Sequence, residues 1–170
     1  MPWPPRFCAD CGSPLESPGT GHASSCRTCG VVHYRNAKPC AGVLIERSGR
    51  VLLARRAVEP RLGAWDVVGG FLKPDESPQA AARREALEET GMQVVVGELL
   101  GMYVDRYGEH PGSDFTLNLY FRARCAAGDP VARSDVRELR WFAEGELPPV
   151  MAFAHQRELL SVWRRRVGGA

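Results

Sequence analysis

The stretch Gly70-Phe71-Leu72-Lys73-Pro74-Asp75-Glu76-Ser77-Pro78-Gln79-Ala80-Ala81-Ala82-Arg83-Arg84-Glu85-Ala86-Leu87-Glu88-Glu89-Thr90-Gly91-Met92 reads as a loop that becomes a helix. Ser77 has the side chain of an N-cap, and Pro78 suits the first helical position, where its missing N–H costs nothing. The alanines carry the helix forward to Glu89, and Gly91 supplies a left-handed C-terminal residue. Glu85, Glu88 and Glu89 stand at i, i+3 and i+4, so their carboxylates share a face. They sit in the last turn, where the helix dipole is already negative and acidic residues are unfavourable without a cation. Hard cations with oxygen ligands, Mg²⁺ or Mn²⁺, suit such a group better than Zn²⁺. The plainer alternative is a solvated face on which Arg84 pairs with Glu88 at i+4.

Around this segment, short apolar strands alternate with helical pattern, which predicts an α/β fold. An extended run at 65–68 leads into Gly69-Gly70. Before it, 41–46 and 51–55 flank the turn Arg47-Ser48-Gly49-Arg50 and read as a hairpin. After it, strands are predicted at 93–104, 115–124 and 136–142, then a helix over about 152–165. Arg164, Arg165 and Arg166 would close its last turn, where cations complement the dipole.

At 170 residues, 44% hydrophobic and 25% charged, the chain suits one core plus a small appendage. No apolar run approaches the roughly 20 residues needed to span a bilayer. Met1-Pro2-Trp3-Pro4-Pro5 lacks the pattern of a secretory leader, so a soluble, cytoplasmic protein is expected. A net charge of +2 argues against a nucleic-acid partner.

Four of the six cysteines form two knuckles, Cys8-Ala9-Asp10-Cys11-Gly12 and Cys26-Arg27-Thr28-Cys29-Gly30. Each C-x2-C-G turn brings two thiolates toward one point, and two such turns make a tetrahedral Zn²⁺ site with no open position. The ion is therefore expected to be structural, holding a segment whose stretch 16–25 is too polar for a core. Disulfides or a redox pair fit a reducing compartment less well. His22 and His33 are spare ligand types, and Cys40 and Cys125 read as buried, unreactive thiols.

The spacing of Gly70, Glu76, Arg84-Glu85 and Glu88-Glu89-Thr90-Gly91-Met92 resembles the Nudix box, G-x5-E-x7-R-E-U-x-E-E-x-G-U, with U a bulky aliphatic. All its fixed Gly, Glu and Arg positions match. Ala86 stands at the first U, and Val68 where many members carry Pro. The link Tyr34-Arg35-Asn36-Ala37-Lys38-Pro39 is similar to that of zinc-ribbon members. Residues 135–142 and Glu146-Leu147-Pro148 look like the family's last core strand and the short segment after it.

The resemblance implies a zinc ribbon over 1–36 and, over 37–170, the Nudix α/β/α sandwich with its curved mixed sheet. It further implies Mg²⁺- or Mn²⁺-dependent hydrolysis of a pyrophosphate bond in a small nucleotide substrate. By that likeness Glu85, Glu88 and Glu89, with the Gly70 carbonyl, hold the ions. Glu88, Glu85 or a downstream acid activates water, the candidates for that acid being Asp135 and Glu138. Glu76, Arg84 and Gly91 are structural. Trp65, Arg55, Arg56 and Tyr107 are candidates for substrate binding, with Tyr103 and Phe115 as further aromatics. Core packing for Trp65 and solvent for the arginines are equally open.

The four-cysteine subgroup is similar to NADH, FAD and ADP-ribose pyrophosphatases. The Ser-Gln-Pro-Trp-Pro-Phe-Pro array of the NADH enzymes is missing from 102–113, which favours FAD or ADP-ribose over NADH. A nucleoside triphosphate pyrophosphohydrolase and a ligand-sensing regulator are the alternatives, and a homodimer through the ribbon is compatible with all of them. Elemental analysis of the purified chain should find about one Zn²⁺ per chain; a zinc-free, folded protein would refute the four-thiolate reading.

Overall fold

In a computed structural model, residues 5–15, 22–110 and 112–167 are described, without the side chains of 166 and 167. Residues 1–4, the polar stretch at 16–21 and the Arg166 side chain, on which expectations were placed, lie outside the described residues. Strands β1 (Ala23–Ser25) and β2 (Val32–Tyr34) form a small antiparallel ribbon in which Ser24 faces His33. Main-chain bonds close both cysteine knuckles in the same way, Gly12 N–H to Cys8 O at 3.0 Å and Gly30 N–H to Cys26 O at 2.9 Å.

The main sheet is seven-stranded among the described residues. Its strands are β3 (Lys38–Arg47), β4 (Arg50–Arg56), β5 (Trp65–Asp66), β6 (Val68–Phe71), β7 (Gln93–Arg106), β8 (Phe115–Ala127) and β9 (Val136–Phe142). β3 runs parallel to β8 from Lys38↔Thr116 to Glu46↔Arg124, whereas β6 and β4 pair antiparallel along its other edge. Sharing β3 in this way makes the sheet mixed, and bulges in β7 at Val96/Leu99 and Leu99/Gly101 add local bends. The expected extended run at 65–68 becomes β5 and β6, interrupted at Val67.

Helix α1 (Pro78–Thr90) follows its sequence signals: Ser77 Oγ accepts from Ala80 N–H at 3.3 Å, and Gly91 sits at φ 69°. Its buried Ala81, Ala82 and Ala86 lie against Ala41, Val43, Ile45 and Phe121 on one face of the sheet. Small side chains there bring the helix close to the strands. On the other face, α2 (His155–Val167) buries Leu159, Leu160 and Trp163 against Leu44, Leu53 and Tyr120. Burial on both faces explains why Val43, Leu44 and Ile45 form an uninterrupted apolar run. The result is the expected α/β/α layering.

Helix α2 begins later than the predicted 152. Ala152 N–H bonds Trp65 O at 2.7 Å and Met151 bridges to Trp65, so this segment is held extended beside β5. Near its end, Arg164 donates to Glu144 O at 3.2 Å. No described helix is long and apolar enough to cross a membrane.

Trp163 is 1% exposed, and its Nε1 has no hydrogen-bond partner. Trp163→Ala should therefore cost about 3–5 kcal/mol in denaturant unfolding. Trp163→Phe, which removes an unsatisfied N–H while keeping a ring, should cost less than about 1.5 kcal/mol.

Candidate functional site

Arg84 of α1 ties the loop before the helix to the acidic end of the helix. Its Nε and Nη2 grip both oxygens of Glu76 at 2.9 and 2.8 Å, and Nη2 also reaches Phe71 O at 3.1 Å. Its Nη1 meets Glu85 at 2.6 Å and Glu88 at 3.0 Å. The planar fork of arginine is what permits this set of contacts; lysine could not reproduce it. Hydrogen bonding from Arg84 holds Glu76 below the ordinary carboxylate range.

Gly70 packs directly against this group. A Cβ there would lie 2.5 Å from Glu85 Oε1, so no larger residue fits without displacing the carboxylate. Gly91 is fixed differently, by its left-handed φ, and its N–H caps Leu87 O at 2.9 Å.

Glu89 is 6% exposed, and Gly69 N–H meets its Oε2 at 3.2 Å. Burial pushes its carboxyl well above the ordinary range, with Asp135, Asp66 and Glu85 adding to the rise. Glu85 is raised by burial too, against the opposing pull of Arg84. Glu88 is exposed. The three helix glutamates do not already converge on one point: Arg84 holds Glu85 and Glu88, while Glu89 turns to Gly69. Acidic groups gathered in a half-buried place, two of them with raised proton affinity, nevertheless match the donor set of a hard divalent cation.

A cavity of about 270 Å³ opens beside this cluster. Glu85, Gly70 and Asp135 line it together with Arg56, Tyr107 and Phe153. Tyr107 and Phe153 stack with centroids 5.7 Å apart, and Arg56 lies 5.5 Å over the Phe153 ring.

Of the sequence candidates, Arg56, Tyr107 and Asp135 therefore join Gly70 and Glu85 at the cavity, whereas Glu88 and Glu89 do not line it. Trp65, Arg55 and Glu138 do not line it. Arg55 pairs across strands with both Trp65 and Glu138, putting all three on the opposite side of the sheet from Arg56. Trp65 packs edge-on against Phe142 at 4.9 Å, and Arg55 is ion-paired to Glu138 at 3.1 Å. Tyr103 stacks on His155 at 5.6 Å, and Phe115 lies under Arg106 at 4.8 Å.

Asp66 is a site residue that the sequence reading missed. It is buried, ion-paired to Arg56 at 2.6 Å and bonded to Gln156. Its signal was a lone acid in an apolar run; its partner Arg56 becomes visible only through strand pairing. Cys40 and Cys125 are both half-buried rather than buried. Cys40 lines the cavity, and burial with the nearby Glu85 charge pushes its thiol up to about 12. Cys125 contacts Arg47 Nη2 at 3.2 Å.

The ribbon gathers Cys8, Cys11, Cys26 and Cys29 so that their sulfurs lie within 4.8 Å of one another. No other group of the described residues brings three or more such ligand atoms so close. His33 Nε2 sits 3.3 Å from Cys8 Sγ, close to the cluster yet additional to a complete set of four. Such an array fits a tetrahedral metal site.

This sheet between two helices, with its glutamate-bearing helix and glycine turn, has counterparts among known proteins. Residues 37–162 match the NUDIX domain, and the chain belongs to the Nudix family. It is 33% identical over 152 residues to the NAD-capped RNA hydrolase NudC of Stutzerimonas stutzeri, covering 86% of this chain and 51% of that protein. It is also 33% identical over 120 residues to a MutT-like protein of Streptomyces ambofaciens, covering 71% of this chain and 72% of that one. The crystal structure of a NUDIX hydrolase from Nitrosomonas europaea superposes with a TM-score of 0.77 at 30% identity, covering 96% of this chain and 91% of that one. The chain spans about half the length of the NudC relatives it matches, 51% in that of Stutzerimonas stutzeri and 58% in that of Pseudomonas aeruginosa.

The folded proton affinity of Glu89 is above the ordinary value of 4.5, so the metal-free protein binds more protons folded than unfolded above that pH. The stability of the metal-free chain should accordingly fall as pH rises from there through the raised value. Glu89→Gln removes this penalty. At neutral pH without added Mg²⁺ or Mn²⁺ it should melt roughly 2–4 °C above the unaltered chain, the shift that about 1 kcal/mol makes at this size. A lower melting temperature in scanning calorimetry would show that the charge is already compensated.

Proposed function

We propose that this chain is a Mg²⁺- or Mn²⁺-dependent pyrophosphohydrolase acting on a nucleoside diphosphate linked to a second moiety, releasing AMP or another mononucleotide. One observation carries the reading: a single cavity joins the buried carboxylate cluster to an aromatic and arginine-bearing wall. That pairing suits a ligand with phosphates at one end and a flat ring at the other.

Glu85, Glu88, Glu89 and the Gly70 carbonyl would hold the divalent ions. A cation held there supplies charge neutralisation for the phosphates and lowers the pKa of a water. Glu88 and Glu85 are the favoured proton acceptors for the attacking water. Asp135, which faces the same cavity, takes precedence over Glu138 as the downstream acid. Arg84 positions Glu85 and Glu88, and Glu76 positions Arg84. In the ribbon, residues 1–36 of the proposed division, the four cysteines hold Zn²⁺ as a structural ion. Arg56 is engaged by Asp66, so its role toward substrate is to orient the cavity wall and present a partly neutralised charge.

FAD, ADP-ribose and NADH are the favoured substrates. The relatives named NAD-capped RNA hydrolases keep NAD-type linkages among them despite the missing proline array. The chain's charge of +2 gives little general attraction for an RNA body, so a free dinucleotide or nucleotide-sugar is preferred.

Chromatography of reactions with FAD, NADH, ADP-ribose, diadenosine polyphosphates and nucleoside triphosphates should find AMP from the best substrate, and only with added Mg²⁺ or Mn²⁺. Glu88→Gln should lower kcat by about a hundredfold or more while the fold persists. Cleavage confined to triphosphates, giving pyrophosphate, would replace this reading with nucleotide-pool hydrolysis. Binding of ADP-ribose without any turnover would replace it with a sensing role.

A further inference from the structure

Deep in the cavity, two amides are held with their nitrogens turned into the protein. Gln156 is 1% exposed, and its Nε2 donates to Asp66 Oδ1 at 2.5 Å and to the Tyr120 hydroxyl at 3.3 Å. Asp66 is ion-paired to Arg56, so it accepts. Reversing the amide would set an oxygen against a carboxylate, and the orientation is therefore fixed. Tyr120 is itself held by His155 Nε2 at 2.9 Å, and His155 Nδ1 meets Asp105 at 2.7 Å. Gln156 Oε1 is left buried with no hydrogen-bond partner.

Asn118 repeats the pattern. Its Nδ2 points to Thr116 O, Thr116 Oγ1 and Tyr103 O, at 3.4, 2.9 and 3.3 Å. Two carbonyl acceptors fix the nitrogen there and leave Oδ1 as the group available to a ligand. Gln156 and Asn118 both line the cavity.

We infer that Gln156, with Asn118 beside it, is a specificity-determining acceptor that reads an N–H donor on the ring of the bound nucleotide. This rests on the proposal that the cavity takes a nucleotide, and deepens it. A buried acceptor without a partner disfavours any ligand that also offers only an acceptor, phosphate included. Phosphates are thus directed to the carboxylate end with its cation, and the ring to the amides. Tyr107 and Phe153 supply the flat apolar contact. The donor is a ring-borne amide or amino group, of which adenine and nicotinamide are the two sources in the favoured substrates.

Calorimetric titration of the zinc-loaded chain with AMP and purine riboside 5′-monophosphate, which lacks the amino group and any ring N–H, and with nicotinamide mononucleotide and nicotinic acid mononucleotide, tests this without turnover. In at least one pair the amino- or amide-bearing member should bind more than about tenfold tighter, since a site built around a donor rejects a ligand lacking it. The pair that discriminates identifies the source. Gln156→Leu should bring that ratio to within about threefold, whereas a merely structural role would weaken both members alike and leave the ratio unchanged. Tyr120→Phe, which keeps the ring but frees one amide hydrogen, should lower the same ratio if Gln156→Leu does not fold.

No binding of any of the four, equal binding within both pairs, or an unchanged ratio in the folded variant would overturn the inference. Pyrophosphate cleavage without discrimination would overturn it while leaving the proposed hydrolysis intact. Discrimination without cleavage would do the reverse.

Discussion

The Arg84 guanidinium is the interaction on which the arrangement at the cavity depends. It binds both oxygens of Glu76, reaches Phe71 O in the preceding loop, and holds Glu85 and Glu88. Without it, a loop and a helix end rich in negative charge would have nothing to fix their separation. The same cation also makes an apo state tolerable, since like charges otherwise crowd the negative end of a helix dipole. Glu89 lies beyond its reach and keeps a burial penalty that a bound metal ion would relieve.

The backbone around this point is shaped to bring the parts together. β3 lends the antiparallel partner for Gly69 and Gly70 along one edge and a parallel partner, β8, along the other. Gly70, Glu85 and the Asn118 amide therefore border one space although they come from distant parts of the chain. The small alanines of α1 allow the helix to sit close enough for Glu85 to touch Gly70, where even a methyl group would intrude.

Local signals made the central helix legible, because Ser77, Pro78 and Gly91 act on backbone groups within a few residues. The hairpin and the later strands were legible from apolar patterning. The start of α2 was not, since a bond from Ala152 to Trp65 across the chain overrides the local helical pattern. Sequence also could not decide between Arg55 and Arg56. Neighbours on a strand face opposite sides, and only the pairing register shows that Arg56 shares the cavity side with Asp66 while Arg55 goes with Trp65. Gln156, Tyr120 and His155 were missed for a related reason: their roles come from contacts between α2 and the sheet, which no spacing in the sequence reports.

The fold thus carries two different ligand sets, four sulfurs gathered in the ribbon and a carboxylate cluster beside an open cavity. The central claim is that the second cluster is completed by a hard divalent cation. Titrating Mn²⁺ into the zinc-loaded chain, with free Mn²⁺ followed by electron paramagnetic resonance, tests it most directly. Saturable binding is predicted, with protons released to the buffer as Glu89 is relieved of its raised affinity, and much weaker binding in Glu85→Gln. Absence of saturable Mn²⁺ binding, or binding unchanged in Glu85→Gln, would contradict it.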